Sequence, residues 1–336
     1  MGELIPFNSV MVVGGGAWGT ALANLTAGNG VETTLWAREA EVVAAIRRNR
    51  ENSVYLPGVR LSDALKATSD LSKIGDAEAV MMVVPAQHNR AICVEARRFA
   101  KETTPVILCA KGIETETGLL MTEVLAEVWP DARPAVLSGP SFAIDVARGL
   151  PTAVTLACAD AALGEKWMAS LGAPHFRPYF STDLVGAELG GAVKNVLAIA
   201  AGVAEGRGLG ESARAALIAR GFAEFQRLGV ALGADAQTMA GLSGLGDLIL
   251  TASSEKSRNM SLGVALGRGQ ALNDILKERN TVAEGVATAP AIVRLAKKAG
   301  VETPIVNAVA ALLNGEKTVD EVISELLARP LRAETI

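Results

Sequence analysis

The chain has 336 residues, of which 50% are hydrophobic and 20% charged, and its formal net charge is −4 at pH 7. Single hydrophobic cores stop growing at about 250–300 residues, so this length predicts two domains. The net charge gives no extended positive field, which argues against nucleic acid or an anionic membrane surface as a partner.

Cysteine and histidine are scarce in this sequence. The three cysteines are widely spaced without a CxxC pair and there are two histidines, which argues against a metal site and against disulfides. The N-terminus lacks a basic stretch followed by an apolar one, so we expect no signal peptide. Every apolar run of about 18 residues contains a charge or a glycine, so we expect no membrane insertion. These features predict a cytoplasmic protein.

The first predicted element is a short apolar strand, Ser9–Val13, which runs into the sequence GGGAWGT. Gly14, Gly16 and Gly19 form a G-x-G-x-x-G motif that opens a predicted helix. In this motif the first glycine permits a tight turn, the second lets the backbone approach a pyrophosphate, and the third lets the helix pack on the strand. A second strand over 32–36 closes a βαβ unit, so the pattern predicts a dinucleotide at the helix N-terminus.

Arg38 follows the second strand, where an NAD site usually carries Asp or Glu for the ribose 2′-hydroxyl. An arginine here favours the 2′-phosphate of NADP, whereas Glu39 and Glu41 fit the start of the next helix. A solvated arginine at a strand end is the simpler alternative. We expect NADP(H) to be preferred, with NADH as the alternative cofactor.

Strands and helices then alternate along the chain. Strands are predicted over 79–84, 105–110 and 135–137, with amphipathic helices over 90–100 and 119–128 between them. This alternation predicts an open, mostly parallel sheet wound on both faces, of the Rossmann type.

Ligands of such sheets bind at the carboxyl ends of the strands. Lys111 follows one predicted strand, and Gly139 and Ser141 follow the next. We therefore expect these residues at a ligand site, although Lys111 is also consistent with an ordinary surface lysine.

From residue 184 the pattern is helical almost to the end. The fold class is therefore α/β, with an N-terminal Rossmann-type doubly wound sheet over 1–184 followed by an all-α C-terminal domain over 185–336.

The first of these helices, from Leu184, is almost wholly apolar yet contains Lys194 and Asn195. Lysine is rarely buried without a partner, and its neighbours at helical spacing are mostly small, which leaves room for a ligand against the ammonium group. A lysine that extends out of a core helix towards Glu188 or another carboxylate is the competing interpretation.

Three further polar spots stand out in the helical half. Asp247 follows two glycines at a predicted helix start, where a helix N-cap is the alternative role. Ser257, Arg258 and Asn259 precede another helix and combine groups that suit a phosphate, although they are also compatible with a solvated loop. Glu284 stands before a helix, where simple capping is an equal alternative.

Taken together, these stretches resemble the bacterial family of NAD(P)-dependent glycerol-3-phosphate dehydrogenases. The resemblance covers nearly the whole chain and is carried, in order, by GGGAWGTALA, AKGIE, LSGPSFA, ELGGAVKNVLAIAAG, GLSGLGDLILT, SRN and AEGVATA. It implies reversible hydride transfer between a nicotinamide cofactor and the dihydroxyacetone phosphate/sn-glycerol 3-phosphate pair, which supplies glycerophospholipid synthesis. It also implies a homodimer.

The resemblance also implies residue roles. The cofactor contacts it implies, beyond the glycine motif, are Ala17, Trp18, Arg38, Lys111, Ala143, Arg258, Val282 and Glu284. The substrate contacts are Lys111, Gly139, Ser141, Lys194, Asp247, Ser257, Arg258 and Asn259. The side chains of Ala17 and Ser141 carry less weight because the family varies there, and Glu211 departs from the family's usual Asn.

The implied catalytic group is Lys194, with Asn195 beside it. Our hypothesis is that burial and the nearby cations Lys111 and Arg258 lower the pKa of Lys194 towards neutrality, so that it donates a proton to the ketone oxygen. Asp247 would orient Lys194.

Two other functions are compatible with parts of the pattern. A related dehydrogenase could act on a 3-hydroxy acid through a similar Lys–Asn pair, although the SRN stretch argues for a phosphorylated substrate. A non-catalytic NADP-sensing module would bind cofactor without turnover, and gives no reason for Lys194, Asp247 and Arg258.

Overall fold

The computed structural model of the protein describes residues 4–278, 283–331 and 333. Contacts between Cα atoms divide the chain into two compact units. The first unit is Met1–Gly191 with Gly233–Asp247, and the second unit is Ala192–Leu232 with Leu248–Ile336. The predicted division after residue 184 would give a single boundary, whereas the contacts also assign the segment Gly233–Asp247 to the first unit.

The first unit is built on an eight-stranded sheet. Its strands are β1 Ser9–Val13, β2 Glu32–Trp36, β3 Lys66–Thr68, β4 Ala79–Met82, β5 Pro105–Leu108, β6 Arg133–Ser138, β7 Thr152–Ala157 and β8 Phe176–Ser181. Their order is β3-β2-β1-β4-β5-β6-β7-β8. All pairs are parallel except β6 with β7. The mostly parallel α/β fold is therefore confirmed.

Helices cover both faces of this sheet. They are α1 Ala17–Gly28, α2 Ala40–Asn49, α3 Ala86–Arg97, α4 Met121–Val128, α5 Ala143–Ala147 and α6 Ala161–Leu171, with a 3-10 helix at Leu71–Asp76. Successive residues of a strand point to opposite faces: Val10 and Val12 of β1 enter one hydrophobic cluster, and Met11 and Val13 enter another. Burial on both faces explains why the central strands β1, β4 and β5 read as short, continuous apolar runs.

The rest of the chain is helical. Its helices are α7 Leu184–Gly206, α8 Glu211–Ala231, α9 Ala236–Ala240, α10 Asp247–Ala252, α11 Arg258–Gly267, α12 Leu272–Lys277, α13 Glu284–Ala299, α14 Pro304–Leu313 and α15 Val319–Leu327. A π-helix at Leu242–Gly246 leads directly into α10. Within its described residues the second unit contains helices and connecting loops, as the all-α prediction requires.

Helix α7 is the longest helix and is continuous through its glycines. By length and composition alone it could cross a membrane, but 89% of its most apolar window is buried inside the protein. Such burial is that of a core helix, since a spanning helix would turn its apolar side chains outward to lipid.

Glycines allow α7 and α11 to approach each other closely in the second unit. A Cβ added at Gly202 of α7 would collide with the carbonyl of Met260, and one added at Gly263 of α11 would collide with the carbonyl of Ile199. Gly206 and Gly267 repeat this arrangement one turn further along. The two backbones therefore pack with no room for side chains between them.

Candidate active site

The loop after β1 has the geometry that the glycine motif predicts. Gly14 has φ +131°, and a Cβ there would lie 2.5 Å from the carbonyl oxygen of Val83. A Cβ at Gly19 would collide with the carbonyl of Gly14, so α1 packs directly on the end of the strand. A Cβ at Gly16 would meet nothing within 4 Å, so this side of the loop is open to a ligand.

The N-terminus of α1 fits the pyrophosphate of a dinucleotide. Gly16 is its N-cap residue, and its first turn contains no acidic residue. The N–H groups of Ala17, Trp18 and Gly19 therefore have no acceptor within the helix and carry its positive dipole end. Among the described residues the indole N–H of Trp18 is buried without a partner, and its ring packs against the hydrophobic cluster. Trp18 can therefore contact a phosphate through its backbone N–H.

Arg38 lies beside this loop. The N–H of Gly14 donates to the carbonyl of Trp36 at 3.0 Å, which joins the ends of β1 and β2. Arg38 is exposed just beyond, in the bend after β2. Glu39 is the N-cap residue of α2 and Glu41 lies in its first turn, so both carboxylates belong to the start of that helix.

Lys111 and Asp247 form an ion pair in the first unit. Lys111 Nζ lies 2.7 Å from Asp247 Oδ2 and donates to the carbonyl oxygen of Gly139 at 2.8 Å. The side chain of Asp247 is 1% exposed and that of Lys111 14%. A carboxylate this deeply buried requires a cationic partner, so Asp247 holds Lys111 Nζ and is no simple helix cap.

Strand topology brings these groups together. Lys111 follows β5 and Gly139 follows β6, and the two strands are parallel neighbours. Gly139 has φ +148°, and a Cβ there would lie 2.8 Å from Val154 Cα, so the turn requires glycine. Ser141 Oγ donates to the carbonyl oxygen of Gly139 at 3.0 Å, immediately before α5, which begins at Ala143.

Asp247 reaches this edge from the segment that returns to the first unit. The N–H of Ser243, in the π-helix, donates to Thr155 Oγ1 of β7 at 3.2 Å. This bond ties the segment to the sheet four residues before Asp247. π-helical turns are rare and occur frequently at functional sites.

Two glycines of α7 let other parts of the first unit pack closely against this helix. A Cβ at Gly191 would lie 2.9 Å from Ser138 Oγ and 3.1 Å from Lys111 Cγ. A Cβ at Gly190 would collide with the carbonyl of Ser243. The space that the sequence left for a ligand at these two positions is thus filled by the sheet edge and the π-helix.

Glu188 caps a neighbouring helix. Its carboxylate accepts from the N–H of Thr122 at 2.9 Å and from its hydroxyl at 2.6 Å, at the N-terminus of α4. Burial raises the pKa of Glu188 to about 7, against the lowering effect of these hydrogen bonds. The sequence suggested Glu188 as a possible carboxylate partner of Lys194. In the structure Glu188 instead accepts hydrogen bonds from Thr122.

Lys194 and Asn195 lie in the second unit. Lys194 is 8% exposed, and its Nζ donates to Thr251 Oγ1 at 3.0 Å. Thr251 was not predicted, although it follows Asp247 by one turn of α10, a spacing that puts two side chains on one helix face. The hypothesis that Asp247 orients Lys194 stays a prediction.

Asn259 connects three helices of the second unit. Its Nδ2 donates to Asn195 Oδ1 at 2.8 Å, and its Oδ1 accepts from the N–H of Gly285 at 3.0 Å. These bonds join α11 to α7 and to the first turn of α13, which begins at Glu284. Val282, a predicted cofactor contact, lies outside the described residues.

The N-terminus of α11 is suited to an anion. Ser257 is its N-cap residue, and its hydroxyl accepts from the N–H of Met260 at 3.3 Å. Arg258 is the first residue of the helix and is exposed, and the first turn carries no acidic residue. A guanidinium at a positive helix end favours a phosphate or a carboxylate.

The glycine loop at the edge of a doubly wound, mostly parallel sheet defines a dinucleotide-binding protein of the Rossmann class. Comparison with known proteins is more specific. The family models for the N-terminus and the C-terminus of NAD-dependent glycerol-3-phosphate dehydrogenase match residues 9–164 and 183–324. The chain belongs to this family, which confirms the resemblance seen in the sequence.

Individual relatives extend over nearly the whole chain. A protein of Parvibaculum lavamentivorans named glycerol-3-phosphate dehydrogenase (NAD(P)+) is 56% identical, covering 98% of this chain and 99% of its own. One of Hyphomonas neptunium with the same name is 57% identical, covering 98% of both chains. The crystal structure of glycerol-3-phosphate dehydrogenase from Coxiella burnetii has a TM-score of 0.92 and 34% identity, covering 96% of this chain and 99% of that one.

Proposed function

We propose that the protein catalyses the reversible NAD(P)H-dependent reduction of dihydroxyacetone phosphate to sn-glycerol 3-phosphate. The identity of 56% to a relative with this enzyme's name supports the reaction. The observation that carries the proposal is Lys194, an amine only 8% exposed in a mostly apolar core helix and bonded to the hydroxyl of Thr251. Such a group has no purpose in a core helix, but reduction of a ketone requires a proton donor.

The proton balance of the reaction defines the task of Lys194. Dihydroxyacetone phosphate, NAD(P)H and one proton give glycerol 3-phosphate and NAD(P)+, and the bound reduced nicotinamide supplies the hydride. The ketone oxygen gains negative charge as hydride reaches the carbon. Lys194 Nζ gives its proton to this oxygen, while the hydroxyl of Thr251 holds the amine in place. In the oxidation direction neutral Lys194 takes the hydroxyl proton.

Lys111 serves the same step as a fixed positive charge. Its Nζ is held at 2.7 Å from Asp247 Oδ2 and 2.8 Å from the carbonyl of Gly139. A cation that is already oriented costs no reorganisation when charge develops on the substrate, which is how electrostatic stabilisation accelerates a reaction. Asp247 therefore acts on the reaction by orienting Lys111, and Gly139 and Ser141 complete the substrate contacts.

The phosphate group of the substrate is bound at the start of α11. Arg258 supplies the guanidinium, and the positive dipole end of the helix adds to its attraction for the phosphate. Asn259 contributes by holding Asn195 and the start of α13 in place. Binding energy from this non-reacting end of the substrate positions its carbonyl for the reaction.

Cofactor choice depends on Arg38 in this proposal. An exposed guanidinium beside the glycine loop is suited to the 2′-phosphate of NADP(H). The names of the two relatives given above carry the designation NAD(P)+, which covers both cofactors. We also propose, from the family resemblance, a cytoplasmic homodimer that supplies glycerol 3-phosphate for phospholipid synthesis. Light scattering of the purified protein tests the dimer, and a single-chain mass would contradict it.

The direct test is oxidation of NADPH, and separately of NADH, followed at 340 nm with dihydroxyacetone phosphate. We expect turnover with both and a lower KM for NADPH. Protein that binds cofactor but oxidises neither with this substrate would refute the proposal. Turnover of a 3-oxo acid in that case would favour the 3-hydroxy-acid dehydrogenase, and none with any ketone would favour the NADP-sensing module.

A further inference from the structure

The backbone that follows Lys111 is held by one helix. Residues 111–119 leave the sheet after β5, beyond the last ladder hydrogen bond. Helix α3 begins at the same edge, because β4, which precedes it, pairs in parallel with β5 through Met82 and Leu108. Gln87 and Arg90 of α3 form hydrogen bonds to this loop; they are three residues apart and so lie on one helix face.

Gln87 forms two hydrogen bonds to the loop backbone, one as donor and one as acceptor, as the backbone of a neighbouring strand would. Its Nε2 donates to the carbonyl oxygen of Ile113 at 2.7 Å, and its Oε1 accepts from the N–H of Thr115 at 2.9 Å. One side-chain amide thus satisfies a backbone acceptor and a backbone donor two residues apart. The bonds begin two residues after Lys111.

Arg90 holds the residue between these two bonds. Its Nε and Nη2 donate to the two carboxylate oxygens of Glu114 at 2.9 and 2.8 Å. The same guanidinium lies 2.7 Å from Glu127 of α4, and Thr117 donates to Glu114 at 2.6 Å. Arg90 holds the pKa of Glu114 below its ordinary value, so this fork-shaped pair is ionised at neutral pH.

We propose that Gln87 and Arg90 are positioning residues for the reaction proposed above, and that they act through Lys111. Lys111 Nζ must reach two acceptors on different elements, Gly139 and Asp247. The reach of its side chain is limited, so a displacement of its Cα moves Nζ away from at least one of the two acceptors. The clamp on residues 113–115 fixes that location where the strand ladder no longer does.

The chain offers variants that separate positioning from folding. Gln87 is exposed apart from its two loop contacts, so Gln87→Ala removes the clamp without opening a core cavity. His88→Ala is its control, since His88 is also exposed and is the next residue of α3. Arg97→Ala is the control for Arg90→Ala, because Arg97 binds the carbonyl of Val128 instead of the loop.

We expect Gln87→Ala and Arg90→Ala each to lower kcat/KM for dihydroxyacetone phosphate roughly tenfold, since small displacements of a reacting group are costly. His88→Ala and Arg97→Ala should stay close to the wild-type enzyme. Gln87→Glu keeps the acceptor for Thr115 and should lose less activity than Gln87→Ala. If Arg90→Ala does not fold, Arg90→Lys retains one ion pair and takes its place.

A double-mutant cycle tests whether the effect passes through Lys111. In enzyme carrying Lys111→Met, assayed at high concentration over hours, adding Gln87→Ala should change kcat/KM by less than about twofold, because the group it positions is gone. An equal fall in both backgrounds would overturn the proposal, as would equal losses in Gln87→Ala and His88→Ala. Failure of the proposed function itself would appear separately, as a wild-type protein that does not reduce dihydroxyacetone phosphate.

Discussion

Lys194 is an amine in the protein interior, where a positive charge loses the free energy of hydration. It is 8% exposed in a mostly apolar helix, and its Nζ donates to the hydroxyl of Thr251. Burial removes water from its ammonium group, which costs free energy. Structural helices avoid such a cost unless the group has a task. At the scale of single residues, the proposed chemistry therefore depends on this amine.

Replacing Lys194 by alanine is expected to lower kcat about 100-fold or more, since a positioned general acid contributes roughly 10²–10⁴. The affinity for NADPH, measured by its fluorescence, should change little because the glycine loop and Arg38 are intact. Lys317→Ala is the control, because Lys317 pairs with Glu325 at the surface. A Lys194→Ala enzyme with a nearly normal kcat would remove Lys194 from the catalytic role.

Arg38→Ser is expected to raise the KM for NADPH about tenfold or more, because charge-assisted hydrogen bonds to a phosphate are worth roughly 1.5–3 kcal/mol. The KM for NADH should hardly change, since NADH has no 2′-phosphate. Arg60→Ser, which removes an exposed arginine paired with Asp63, controls for net charge. Parallel changes for both cofactors would mean that Arg38 does not distinguish them.

Residue type and position along the chain were enough to single out Lys111, Asp247 and Lys194. Each is a charged residue at a strand end or within an apolar run, and such a residue needs an explanation that surface residues do not. Thr251, Gln87 and Arg90 were missed because a hydroxyl, an amide or an arginine on an amphipathic helix is ordinary in sequence. Their roles come from partners distant along the chain.

At the scale of helices, the glycines of α7 and α11 let the two backbones pack directly against each other. Gly202→Ala places a methyl group against the carbonyl of Met260, so the helices must separate. We expect a loss of about 1–3 kcal/mol in the free energy of unfolding, the usual cost of overpacking. Urea unfolding measures it.

The control for this variant is Gly28→Ala. Gly28 is exposed in the last turn of α1 and a Cβ there meets nothing within 4 Å. Alanine is the better helix former, so this change should be neutral or stabilising by up to about 1 kcal/mol. Equal losses in the two variants would show that helix α7 has space at Gly202.

Strands and helices were predictable where periodicity is long or burial is complete. Strands β1 and β2 have the predicted bounds, whereas the helices predicted over 90–100 and 119–128 run over Ala86–Arg97 and Met121–Val128. The three-residue strand β3 was not predicted, because Lys66–Thr68 is too short to show any alternation of apolar and polar residues. The π-helix before Asp247 was not predicted either, since its sequence, LSGLG, resembles that of a glycine-containing loop.

At the scale of the whole molecule, each unit contains a buried glutamate that caps a helix from another element. In the second unit, Glu224 accepts from the N–H groups of Ile305 and Val306 at the start of α14. Burial raises the pKa of Glu224 from its ordinary 4.5 to about 7, against the lowering effect of these bonds. The folded protein therefore binds more protons than the unfolded chain between these two values.

Stability should fall as pH rises through this interval. The contribution of a carboxyl group with a raised pKa is complete below pH 4.5 and is lost by about pH 7, and a shift of this size corresponds to about 3 kcal/mol. Glu224→Gln cannot ionise, so its free energy of unfolding should decline less than that of the wild-type protein between pH 5 and pH 8.

An oppositely shifted carboxylate provides the control. Glu321 caps α15 at the surface by accepting from Thr318, and these hydrogen bonds lower its pKa. Glu321→Gln should therefore remove stability that is present at neutral pH and lost on acidification. Identical pH slopes for Glu224→Gln and the wild-type protein would show that Glu224 is ionised throughout.

The chain passes between its two units three times: within α7 after Gly191, after Leu232, and after Asp247. The two segments of the sheet unit are therefore separated in the gene by a segment that encodes part of the second unit. A recombination event at any one point between Lys111 and Asp247 would give these two residues different ancestors, although they form one ion pair. Lineages of this enzyme should accordingly exchange the whole gene far more readily than either half.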